Sequence, residues 1–243
     1  MAAPLYPLRP PDTVGRTGIW QYSRPFGTSG VELGTVCGVD VALPTHFHDE
    51  DQITFVISGR RCFIIGDELV QLSHDEGAHI PAGVPHRSLA ETSELFCINI
   101  YTPPGEYSAG DVILSLASLR RKKGHLNRAD LKIVVERHRC NAGLSSRRTG
   151  PASSRPEPWR TVSEAARLSG MSREGFSRRF KKLHSMSPQS FQLLEKLNAA
   201  RRFLRMGESI AVVAVQTGFA DQSHLGRLFR HIFGVTPGRY RAG

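Results

Sequence analysis

The stretch 209–240, SIAVVAVQTGFADQSHLGRLFRHIFGVTPGRY, constrains the fold of this chain more than any other. An apolar helix is predicted over 210–217, where small residues at Ala211 and Ala214 admit a close neighbour. Gly218 supplies a turn, because a residue without Cβ takes positive φ at little cost. Asp221 then stands as N-cap of a second helix. Leu225, Leu228, Phe229 and Ile232 follow the i, i+3, i+4, i+7 spacing of one buried face. Gln222, Ser223, Arg227 and Arg230 fall on the opposite face. A short helix, a glycine turn and a second helix with a basic outer face describe a helix-turn-helix, whose second helix enters the DNA major groove.

The pattern occurs twice. Subtracting 49 turns Phe229 into Phe180, Arg227 into Arg178, Asp221 into Ser172, Tyr240 into Phe191, Ala214 into Ala165, and Thr236-Pro237 into Ser187-Pro188. In this first unit Thr161 or Ser163 is the expected N-cap, with Glu164 at capping-box spacing from Thr161. Val162, Ala165, Ala166 and Leu168 are expected to face inward, Gly170 to make the turn, and Phe176, Phe180 and Leu183 to be buried. Arg173, Ser177, Arg178 and Lys181 are left outward. Arginines suit guanine, Gln222 suits adenine, and serines and lysines suit phosphate. Between the units Pro188 opens a helix at its first position, where the missing N–H costs nothing, and Gly207 ends it. Such a connector, about 28 Å long, places two recognition helices in successive major grooves about 34 Å apart.

Charge follows the repeat. Residues 159–243 hold 15 Lys/Arg against 5 Asp/Glu, whereas residues 1–110 hold 6 against 13. A basic C-terminal part beside an acidic N-terminal one suits a polyanion reader attached to something else. Four scattered cysteines, Cys37, Cys62, Cys97 and Cys140, have no CxxC spacing and read as reduced thiols. The sequence has no run of 18 apolar residues and no secretion-signal pattern at its start, so a cytoplasmic protein that does not cross a membrane is expected.

The N-terminal text is of another kind. After a proline-rich arm over 1–15, short β-type runs (GIWQYS, ELGTVCGVDVAL, QITFVIS, RRCFIIG, ELVQLS, LFCINIY) alternate with turn glycines, which predicts a sandwich or small barrel. His46-Phe47-His48 followed by Gln52 and Gly59, then Gly77-x3-Pro81-x-Gly83-x2-His86, resembles the two motifs of the cupin barrels, the second two residues short. On a strand, alternation turns His46 and His48 to one face, and the Pro81–Gly83 turn presents His86 to the same cavity. Metal-binding cupins add a glutamate where this chain has Gln52. His46, His48, Gln52 and His86 are therefore the candidate effector pocket, with a divalent metal on His46, His48 and His86 as the alternative; no cofactor is expected.

Helical periodicity returns at Asp111, with Val112, Ile113, Leu116 and Leu119 leading into RRKK at 120–123. A second helix spans 128–138 and carries Leu131, Val134 and Val135. These helices serve either dimerisation or packing on their own barrel. Residues 140–157, rich in Gly, Ser and Pro, read as a flexible linker. The predicted division is a sensing domain over 1–110, a helical extension over 111–139, that linker, and a DNA-binding domain over 158–243.

The string I210-x2-VA-x3-GF-x-DQSH-x2-R-x-F-R-x3-GVTP-x2-YR and the upstream EAARLSGMS-x5-RRFK-x5-SP resemble the two helix-turn-helix units of the AraC/XylS-type bacterial transcription regulators. Ser185 departs from the glycine usual in the first unit, and Leu225-Gly226 from an aromatic and small polar pair. The resemblance implies an α+β protein: a cupin-like β-barrel with a helical extension, then an all-α tandem helix-turn-helix domain. It also implies a sequence-specific transcriptional regulator or activator, not an enzyme. The implied partners are double-stranded promoter DNA, RNA polymerase, a small-molecule effector and a second copy of the chain. A metal-dependent cupin enzyme with an accessory nucleic-acid module is the alternative.

Overall fold

The structure is a computed structural model that describes residues 18–27, 30–140, 159 and 161–243. The proline-rich arm and the linker after Cys140 lie outside the described residues. Nine strands precede eight helices in the described chain. The strands are β1 (Ile19–Ser23), β2 (Glu32–Gly38), β3 (Leu43–His46), β4 (Asp51–Ser58), β5 (Arg61–Ile65), β6 (Glu68–Leu72), β7 (Gly77–Ile80), β8 (His86–Ser88) and β9 (Leu95–Thr102). They form two antiparallel sheets, ordered β1-β2-β9-β4-β7 and β3-β8-β5-β6. The run ELGTVCGVDVAL, read as one strand, stops at Gly38, with β3 starting anew at its last residue, and β7 and β8 were not among the predicted strands. Each is very short and lies beside Pro81 or Pro85, so neither shows a period of its own.

Strands β4 and β9 are buried almost throughout because both of their faces are covered. Val56 and Cys97 join Phe63 and Leu72 of the second sheet in the interior cluster. Their neighbours in the chain, Phe55, Ile57, Phe96 and Ile98, point the other way. There they meet helices α1 (Ala109–Lys123) and α2 (Arg128–Arg137) through Val112, Leu116, Leu131 and Val135. Both extension helices thus pack on the barrel, although Leu114 and Ile133 remain exposed.

The C-terminal helices are α3 (Val162–Leu168), α4 (Arg173–His184), α5 (Pro188–Arg205), α6 (Ile210–Gln216), α7 (Gln222–Phe233) and α8 (Pro237–Ala242). Side chains of Thr161, Ser172, Ser187, Ser209, Asp221 and Thr236 cap α3 to α8 in turn. The single offset of 49 needs correction. Caps Thr161 and Ser209 are 48 apart, as are Ser169 and Thr217, whereas caps Ser172 and Asp221 are 49 apart. The second unit has one extra residue in its turn, so Ala214 corresponds to Ala166, and both are buried. Leu168 and Leu183, expected inside, are about two-thirds exposed, and Ala211 is exposed as well. Leu168 closes a helix only seven residues long, and beyond Phe180 it is His184, one residue after Leu183, that stacks on the Phe180 ring at 4.2 Å.

The buried side chains of these helices form one apolar cluster with the barrel interior. Phe47 meets Phe191 at 5.0 Å between ring centroids, Tyr22 meets Tyr240 at 5.2 Å, and His46 meets Phe233 edge-on at 6.4 Å.

Candidate nucleic-acid interface and histidine cluster

Each recognition helix is held from below and open above. Under α7, Leu225 and Phe229 are fully buried and Ile232 nearly so, with Leu228 half-buried at the edge of the same core. Its Gln222, Ser223, Arg227 and Arg230 are exposed. Under α4, Phe180 is buried and Phe176 half-buried, with Trp159 edge-on to both rings. Arg173, Arg178 and Lys181 are exposed, and Ser177 is half-buried. Gly170 and Gly218 take the positive φ that the turns need. The C-caps differ: Gly234 adopts the left-handed conformation freely, while Ser185 is forced into it at φ 55°. Each helix thus exposes a set of N–H and O–H donors, the groups that phosphate oxygens and base edges accept from.

Inside the barrel the three predicted histidines come together. Ring centroids lie 4.3 Å apart for His46 and His86, 5.0 Å for His48 and His86, and 6.2 Å for His46 and His48. All three are buried. Each Nδ1 faces a backbone carbonyl, of Pro44 at 2.8 Å, Glu50 at 2.7 Å and Val84 at 2.9 Å respectively. Burial holds all three imidazoles below their usual range, His46 down to about 3, so they are neutral near pH 7. A neutral ring has one N–H, and donating it to the carbonyl leaves Nε2 as an acceptor at His46 and His86; at His48 both ring nitrogens face oxygens, the Glu50 carbonyl and Gln52 Oε1, and a neutral ring donates to only one of them. Gln52 meets His48 Nε2 at 2.8 Å and continues through Thr54 to Asn99, an uncharged buried chain. Among the described residues His86 Nε2 has no hydrogen-bond partner.

A divalent ion does not suit this donor set. Among the described residues, no three His, Cys, Asp or Glu side chains are placed to hold one. One of the three Nε2 atoms is already engaged by a neutral amide in the place of the carboxylate.

Two groups of residues escaped the sequence reading. The first is an ion cluster joining α5 to the barrel. Arg201 Nη2 donates to Glu32 Oε1 at 2.7 Å and Nη1 to Glu50 Oε2 at 3.3 Å. Arg205 Nε donates to Glu32 Oε2 at 3.1 Å, and its Nη1 pairs with Glu50. Arg202 pairs with Asp49, Tyr240 hydroxyl donates to Glu32, and Asn198 donates to the Phe47 carbonyl at 3.1 Å. Burial pushes the Glu50 carboxyl up, but Arg201 and Arg205 together bring it down to about 2. The second is Arg61, wholly buried inside the barrel. A shared signal marks both arginines. Arg201 lies in phase with the apolar stripe Leu194, Leu197 and Leu204, and Arg61 alternates in phase with Phe63 and Ile65.

Comparison with known proteins agrees with these geometries. The helix-turn-helix domain family matches residues 165–243, and the cupin domain family matches residues 39–101. The regulator MtrA of Neisseria gonorrhoeae is 31% identical over 88 residues, 36% of this chain and 29% of its own length. The transcriptional activator NphR of a Rhodococcus species is 38% identical over 82 residues, 33% of this chain and 24% of its own. An AraC-like transcription regulator of Streptomyces antibioticus is 24% identical over 210 residues, 79% of this chain and 67% of its own. The chain thus aligns with less than a third of the length of the first two. No helix among the described residues is long and apolar enough to cross a membrane. The chain thus joins a cupin domain to a helix-turn-helix domain, and the relatives it resembles over the second of these are named as transcriptional regulators.

Proposed function

We propose that the chain is a cytoplasmic regulator that binds promoter DNA through both helix-turn-helix units and is controlled through its cupin barrel, without enzymatic activity. The observation carrying this reading is that α4 and α7 keep their basic faces exposed while the buried Arg201 of α5 grips two carboxylates of the barrel. DNA readout and barrel state are thereby linked through one helix. The barrel holds a small effector, the regulator acts on transcription through RNA polymerase, and the extension helices give a homodimer through exposed Leu114 and Ile133. The sensing domain ends near residue 110 and the reader begins near 158.

Gel-shift titration of the full chain with its own promoter region and with random duplex tests this. Preferential promoter binding that weakens linearly in log–log form with salt is expected, since several phosphate contacts release counterions. Equal affinity for both DNAs at every salt concentration overturns it.

A further inference from the structure

Two buried arginines share the barrel interior, and only one is provided for. The Arg201 guanidinium has two carboxylates and lies within 5.0 to 5.9 Å of four aromatic rings. Among the described residues the Arg61 guanidinium pairs with no carboxylate, and its Nε and Nη1 have no hydrogen-bond acceptor. It lies 5.2 Å from the centre of the Trp20 ring and 4.8 Å from that of Phe63. Glu91, whose charge reaches Arg61 at longer range, forms its ion pair with Arg60 instead, at 3.5 Å. An unpaired charge in an apolar interior is costly, far beyond what two ring faces return. In the pairing of β5 with β8, Ile65 lies opposite His86 and Phe63 opposite Ser88, so the alternation that turns Phe63 inward puts Arg61 and His86 on the same inner face of the sheet. That face holds a second unmatched group, the lone pair on His86 Nε2.

We propose that Arg61 and His86 form a binding site for a small organic monocarboxylate bearing a hydroxyl group, the carboxylate on Arg61 and the hydroxyl donating to His86 Nε2. The proposal rests on the reading of the barrel as a sensor and names its ligand class. One unpaired positive charge among neutral imidazoles calls for one negative charge, which a carboxylate supplies and a phosphate dianion exceeds. The walls beside the guanidinium, Trp20 and Phe63, suit an apolar body between the two polar ends.

Trp20 gives the site both a door and a readout. One side of its ring faces Arg61. It also lines a cleft of about 300 Å³ with Gln21, Tyr22, Val235 and Arg239, between β1 and the C-terminal helices. It packs so closely on the C-cap of recognition helix α7 that a Cβ at Gly234 would lie 2.5 Å from the indole. A ligand that displaces Trp20 therefore displaces the end of α7.

The test uses the full chain, with melting temperature followed against butyrate, 3-hydroxybutyrate, 4-hydroxybenzoate and inorganic phosphate, and calorimetric titration of whichever acid acts. A hydroxy acid is expected to raise the melting temperature by roughly 5–10 °C at a hundredfold excess over its Kd, with phosphate inert. Arg61→Met, which removes an unpaired buried charge, is expected to melt no lower than the parent without ligand and to lose the response. His86→Phe is expected to keep binding butyrate but lose the preference for 3-hydroxybutyrate over it. Overturning results are that no carboxylate acts, that phosphate acts equally, that Arg61→Met fails to fold or melts well below the parent, or that it still responds. Gel shifts on the same samples separate the two readings. Promoter binding without any acid response sinks this site alone, and an acid response without promoter binding sinks the regulator reading alone.

Discussion

Arg201 of helix α5 and Glu32 of strand β2, 169 residues apart in sequence, meet at 2.7 Å with each side chain only 2% exposed. The pair is surrounded by Glu50, Arg205 and Tyr240, so neither charge is left without a counterpart. It fixes the connector between the two helix-turn-helix units against the barrel wall.

Breaking that pair from one side is expected to be expensive. Arg201→Met leaves two buried carboxylates to Arg205 and, for Glu32, the more distant Arg24 at 3.6 Å, and a loss of about 3–5 kcal/mol in urea unfolding is expected. The double variant Arg201→Met with Glu32→Gln is expected to recover part of it. Losses that simply add would show that the two residues do not act as a pair.

Acid is expected to destabilise the protein in two stages. The histidines titrate below their ordinary value of about 6.5 in the folded state, so they take up protons on unfolding. Their contribution is complete above that pH and is lost as pH falls from there toward 3, at about 1.4 kcal/mol per pH unit for each proton taken up. Glu32 and Glu50 are also lowered, despite burial, by Arg201 and Arg205. Their contribution is present above about 4.5 and lost as pH falls toward 2. Melting temperature recorded from pH 8 to pH 3 should therefore begin to fall near 6.5. Replacing His46, His48 and His86 with glutamine should move that onset down to the carboxylate range.

Arg178 and Arg227 occupy equivalent exposed places on α4 and α7. Alanine at either is expected to weaken promoter binding while changing folding stability by no more than about 0.5 kcal/mol. Fluorescence anisotropy on labelled promoter DNA and a thermal melt check this together. A large drop in melting temperature would contradict the exposed placement.

Two backbone positions in the recognition helices are expected to gain from substitution. Gly226 lies inside α7, and a Cβ there would meet nothing within 4 Å. Gly226→Ala should therefore add about 1 kcal/mol of stability. Ser185→Gly relieves a left-handed residue and is expected to add about 1 kcal/mol as well. Denaturation midpoints of the two variants and of their combination decide it, and an additive result is expected for sites this far apart.

The helical half was legible in the sequence because its signals are local: caps at Ser172 and Asp221, Pro188 at a helix start, and a buried face repeating every turn. The strands that carry long apolar runs were legible for a similar reason. Strands β7 and β8 were not, since three or four residues between prolines and glycines carry no period. The convergence of His46, His48 and His86 followed from the spacing of two motifs, although His46 ends β3, His86 opens β8 and His48 lies outside the strands. Arg201 and Arg61 were hidden because a charge in an apolar stripe reads as an interruption. What resolves it is a partner far away in the chain, as for Arg201, or a missing one, as for Arg61.

Three guanidiniums of α5, at Arg201, Arg202 and Arg205, face carboxylates that belong to the barrel, at Glu32, Asp49 and Glu50. The acidic half of the chain thus serves the basic half as an internal counterion. While the two are in register, part of the positive potential that would draw in a nucleic acid is cancelled at its source. Any event that loosens the barrel from α5 restores that potential at the connector between the two units. Grip and attraction are therefore opposed by Coulomb's law alone, before any change of shape in either recognition helix.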